Sequence, residues 1–147
     1  MKLPKKRRLR ELADKLWSKA VIADWGHKCA VCGRGDNLHA HHLTPRRHTA
    51  TRYDLRNAVA LCASHHIFDK DLSPHENAMG WVEWLKWHYP ATHDWYQENA
   101  HPKFDGVTNE AFYVSHLQRL RQYVEPDDFE RIVGVRFAAY LAAKGGE

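Results

Sequence analysis

Three cysteines are all the chain holds, an odd number that no closed set of disulfides can use. With no apolar signal-peptide core either, a secreted disulfide scaffold is not expected and a reducing, cytoplasmic setting is, where metal binding is the better use of a thiol. No apolar run approaches the roughly 18 residues needed to cross a bilayer, so a membrane partner is not expected. Internal repeats and long low-complexity segments are also missing, which excludes a repeat architecture. Carboxylates are absent from the first ten residues, which carry six Lys or Arg side chains. That asymmetry, with a formal net charge of +4 and a pI near 9.0, suits a polyanionic partner, although a solvated basic tail is equally ordinary. At 147 residues the chain has room for one domain with its own core.

Leu9, Leu12, Leu16, Ala20 and Ala23 recur at helical spacing, with Trp17, Val21 and Ile22 widening the stripe, so an amphipathic helix is expected from about Leu9 to Asp24. Gly26 closes it, and Cys29 to Gly35 reads as a tight knuckle. Short strands are expected at Leu38 to Leu43 and Val59 to Leu61. Between them, Thr44 to Arg56 is polar, contains Pro45 and four arginines, and reads as an irregular loop. A short helix follows from Ser64 and must stop by about Leu72, because Pro74 cannot continue it. Further helices are expected over Glu76 to His88, ended by Pro90, then Asn109 to Val124, and Asp127 to Ala143, whose leading aspartates favour a helix N-terminus. The tryptophans Trp81, Trp84, Trp87 and Trp95 read as core packing in preference to base-stacking platforms. The fold class expected is α+β in a single domain: a basic N-terminal helix (1–25), a zinc-braced core (26–75) and a helical extension (76–147).

Cys29 and Cys32 form a C-x-x-C pair, and Cys62 and His65 form a C-x-x-H pair thirty residues later. Two such pairs at turns can bend four donors around one tetrahedral zinc, so a structural zinc is expected. Between and beyond them stand His41, His42, Asn57 and His66, with Pro45 three residues after His42.

The run Leu38-His39-Ala40-His41-His42-Leu43-Thr44-Pro45, then Asn57, then Cys62-Ala63-Ser64-His65-His66, resembles the HNH motif, also called ββα-metal or His-Me finger, over about residues 29 to 70. The stretches Leu16-Trp17-Ser18-Lys19 and Arg52-Tyr53-Asp54-Leu55-Arg56-Asn57 look more loosely like phage-encoded HNH proteins related to the NinG recombination family, which suggests a phage or prophage origin and a bacterial host cytoplasm. The resemblance implies that His41 and His66 bind a catalytic divalent ion, that His42 is the general base, and that Asn57 holds the intervening loop. Adjacent strand residues face opposite sides, so His41 and His42 can serve different roles. His39 shares a face with His41; an exposed strand residue is preferred there to an additional ligand.

The implied activity is endonucleolytic hydrolysis of DNA phosphodiesters. A histidine suits the base, and a divalent ion stabilises the leaving oxygen. Arg46 and Arg52, ahead of Arg47, are expected to grip phosphate. HNH proteins commonly place a third ligand four residues after the second, but that position is Lys70, which has no lone pair to donate. His75 is preferred as its replacement, then Asp69, then water. A carboxylate would favour magnesium or manganese; a third imidazole would extend tolerance to nickel, cobalt or zinc. Two rivals stay open: a zinc-stabilised nucleic-acid-binding module without catalysis, and a nuclease for RNA or DNA junctions on the same fold. The sequence is silent on oligomeric state.

Overall fold

Leu9, Leu12, Ala13, Leu16, Trp17, Ala20 and Val21 lie on one face of a helix and are all buried, and that face organises the molecule. In the computed structural model, which describes residues 1–145, this helix is α1, Lys6–Asp24. Positions 146 and 147 of the expected C-terminal extension lie outside the described residues. The chain then forms β1 (Leu38–His42), β2 (Ala58–Cys62), a π-helical turn (Ser64–Phe68), α2 (Ala78–His88), α3 (Pro90–Asn99), α4 (Glu110–Leu120) with a closing 3-10 turn (Arg121–Tyr123), α5 (Pro126–Val133) and α6 (Val135–Lys144). The architecture is α+β, with a two-stranded antiparallel sheet among the described residues.

The strands pair Leu38 with Cys62, His39 with Leu61, Ala40 with Ala60, His41 with Val59 and His42 with Ala58. Every residue of β2 is buried, and its two ends enter different cores. Ala58 joins the larger core, built by α1, Tyr53 and α4 to α6. Val59, Leu61 and Cys62 join the smaller one, with Cys29 and with Trp81 and Leu85 of α2. Directly paired residues share a face, so His39 and His41 lie on the side of Val59 and Leu61. His42 lies on the side of Ala58, toward α1.

One expectation about the helices is corrected, and one helix, α3, was not expected. Pro90 does not merely end α2; it occupies the first turn of α3, where its missing N–H costs nothing. That helix buries no residue fully, so it left no periodic apolar signal to read. The helix expected over Asp127 to Ala143 is two, α5 and α6, broken by Gly134 at φ +88°, a conformation that L side chains rarely adopt. Trp81 is a core residue as expected, whereas Trp87 is 75% exposed.

Candidate metal centres and the histidine cleft

The knuckle is set by backbone bonds from Cys29 N–H to the Arg34 carbonyl and from Gly33 N–H to the Cys29 carbonyl, and it docks on β2 through Ala30 N–H to the Ala60 carbonyl. This brings Cys29 and Cys32 against Cys62 at the end of β2 and His65 in the π-helical turn. Zinc–sulfur bonds of about 2.3 Å and zinc–nitrogen bonds of about 2.0–2.1 Å give tetrahedral edges of roughly 3.8 Å between sulfurs and 3.5 Å between sulfur and nitrogen. Cys32 Sγ lies 3.8 Å from Cys62 Sγ, and His65 Nδ1 lies 3.3 Å from Cys62 Sγ and 3.7 Å from Cys29 Sγ. The four residues could hold a metal ion such as zinc, and their donor set and spacing fit it. Burial raises the Cys29 thiol, but the backbone N–H groups of Cys62, Cys32 and Val31 outweigh it and bring it down to about 7, toward the thiolate a metal needs.

The next residue along the turn, His66, enters a second group with His41 and His75, whose nitrogens lie within 4.8 Å of one another and could also hold an ion. His66 Nε2 and His75 Nε2 are 3.2 Å apart. Two imidazole nitrogens on one ion at about 2.0–2.1 Å stand roughly 3.0–3.4 Å apart, so this spacing fits too. Burial, then the neighbouring His66, His75 and His42, pushes His41 down to about 3. Burial, then His75 and His39, pushes His66 down to about 4. Both rings are therefore neutral near pH 7, the form that donates a lone pair.

His75 returns to the cluster because the chain after the turn is pinned. Ser73, fully buried, donates its hydroxyl to the His66 carbonyl at 2.7 Å and accepts from His75 N–H at 3.2 Å. Asn77 caps α2 by accepting from Gly80 N–H. Asp69 is placed elsewhere: its Oδ1 accepts the Asp71 and Leu72 N–H groups, and its Oδ2 lies 3.9 Å from His65 Nε2. The alternative of Asp69 as a ligand beside His66 is thus corrected; it closes a turn and faces the cysteine cluster. Lys70 is exposed.

His42 occupies the opposite strand face, stacked on Trp17 of α1 with ring centroids 3.7 Å apart and planes 11° apart. Its Nε2 lies 2.9 Å from the Arg52 carbonyl oxygen. A carbonyl only accepts, so Nε2 carries the hydrogen and Nδ1 keeps the lone pair. Burial, joined by the Arg52 and Arg46 cations, holds His42 down to about 4, against the opposing pull of the Arg52 carbonyl and Asp14. Asn57 is fully buried: Oδ1 accepts from Thr44 N–H at 2.6 Å, and Nδ2 donates to the Thr44 and Thr51 carbonyls at 3.1 Å. It ties both ends of the loop that follows His42.

Arg52 takes a different part from the one expected. Its Nε and Nη2 donate to Asp14 at 2.7–2.9 Å, and Nη1 donates to the Arg46 carbonyl at 3.1 Å. Four of its hydrogen-bond directions are spent inside the protein, and Tyr53 Oη adds a bond to the same carboxylate. The side chain fastens the loop to α1 and so fixes the carbonyl that orients His42. Arg46, by contrast, is exposed and lines a cleft of about 700 Å³ together with His41, His42, His66 and His75. Arg47 is exposed. Asp14 and Trp17 went unread as site residues because a carboxylate and an aromatic on an amphipathic helix carry no spacing signal.

No family model, curated protein or solved structure matches the chain.

Proposed function

We propose that this chain is a metal-dependent endonuclease of the HNH type, with a ββα-metal core made by β1, β2 and the π-helical turn, hydrolysing DNA phosphodiesters. One observation carries the reading: His42, neutral and with its Nδ1 lone pair left open by the Arg52 carbonyl, lines the same cleft as three histidines spaced to hold an ion. A base and a cation site in one cleft are the two requirements of phosphodiester hydrolysis. The cysteine cluster is read as a structural zinc, closed by four protein ligands.

His42 Nδ1 removes a proton from water as the water oxygen bonds phosphorus. The bond to O3′ breaks with its electron pair on that oxygen, which takes a proton from solvent; the HNH resemblance implies a 5′-phosphate and a 3′-hydroxyl. Asn57 and the Asp14–Arg52 pair keep the His42 ring in register, and Trp17 holds its plane. Arg46 positions the substrate by its phosphate. A divalent ion held by His41, His66 and His75 would supply Lewis-acid stabilisation of charge on the leaving oxygen.

Cleavage of linear, nicked and branched DNA and of RNA, each with magnesium, manganese, cobalt or nickel, tests the reading. Metal-dependent nicking of DNA supports it. Binding without cleavage of any substrate favours a zinc-stabilised binding module, and cleavage confined to RNA or junctions favours the narrower nuclease.

A further inference from the structure

The geometry points to His39 as a positioning residue that fixes the tautomer of His66 and so sets how tightly the three-histidine cluster holds its ion. This inference rests on reading His41, His66 and His75 as an ion site.

His39 and His41 are two residues apart on β1 and share a face, so both approach the His66 ring, with centroids 5.1 and 5.2 Å from it. They approach it differently. His66 turns Nε2 toward His75, at 3.2 Å, and Nδ1 toward His39 Nδ1, at 2.9 Å. If Nε2 gives its lone pair to an ion, the neutral ring must carry its single hydrogen on Nδ1. That hydrogen points at His39 Nδ1, which accepts it and keeps its own hydrogen on Nε2. His39 thus stands outside the ligand set, in the place where metal-bound imidazoles ordinarily find a carboxylate or carbonyl partner. A free His66 ring must lose rotational freedom on binding; one already held by His39 has lost it.

The test uses full-length protein with its zinc in place, titrated with cobalt(II). Wild type should take up one cobalt per chain beyond the zinc. His39→Ala should weaken that uptake by about 10–100-fold, with zinc content and circular dichroism unchanged. His39→Asn, whose Oδ1 can accept at nearly the same point, should restore affinity to within a few-fold. In cobalt-loaded protein with ¹⁵N-labelled histidine, the His66 Nδ1–H should exchange with solvent faster in His39→Ala than in wild type. Unchanged cobalt affinity in His39→Ala overturns the inference and leaves the ion site intact. A larger loss with an altered cobalt absorption spectrum and no rescue by Asn also overturns it, by making His39 a ligand. Wild-type protein that takes up no second metal removes the ion site itself.

Discussion

Two adjacent residues, His65 and His66, leave the same π-helical turn for two clusters built on opposite principles. The first is closed: three sulfurs and one nitrogen surround a point, with Cys29 and Cys62 buried in the smaller core. The second is open: three imidazoles line a cleft, and His75 is exposed. Four protein ligands leave an ion no vacancy, which suits bracing; three leave a position for water or substrate, which suits chemistry. An ion in the closed cluster would clamp the knuckle and the turn to the end of β2, next to the residue that enters the open one.

Breaking the closed side should have the largest effect. Cys62→Ser should lose zinc and folded signal together, because a structural zinc contributes on the order of 10 kcal/mol. Elemental analysis beside circular dichroism checks this, and folded protein without zinc would sever the link between cluster and fold.

On the open side, His75→Ala should keep the zinc and the fold but weaken cobalt or manganese binding markedly, while Asp69→Ala leaves that affinity near wild type. With three imidazoles and no carboxylate, the site should also prefer cobalt, nickel or zinc over magnesium. Calorimetric titration of each ion reads both points, and equal losses in the two variants would undo the separation of the clusters.

The arginines sharpen the contrast between bracing and substrate contact. Arg52→Ala should lower stability by about 2 kcal/mol through lost charged hydrogen bonds. Arg46→Ala should leave stability alone, weaken DNA binding and reduce its salt slope by about 1. Urea melts and binding at several salt concentrations distinguish them.

The last effect lies away from both clusters, at His116, which burial and then Arg119 hold down to about 4. Its folded value is below the ordinary 6.5, so its contribution is complete above pH 6.5 and is lost as pH falls through 4. His116→Phe should therefore flatten the fall in stability between pH 6.5 and 4, measured by thermal melts.

Much of this was legible in the residues. The paired cysteines and histidine sit at fixed short spacings, the strand alternation separates His41 from His42, and α1 shows its stripe from Leu9 to Val21. What escaped depends on contacts distant in sequence. Arg52 looks like any loop arginine until Asp14, 38 positions earlier, takes its guanidinium. His39 looks like an exposed strand residue until His66, 27 positions later, turns Nδ1 toward it. Ser73 carries no signal beyond a turn, yet it steers His75 home.

The proposed reaction needs His42 as the base beside an ion held by three histidines. Single-turnover cleavage of supercoiled DNA by wild type and His42→Ala, both carrying zinc and saturated with the same second metal, tests this most directly. The expected result is a loss of roughly 100-fold or more in rate, with zinc content and DNA affinity retained. Cleavage by His42→Ala at a near wild-type rate would contradict it.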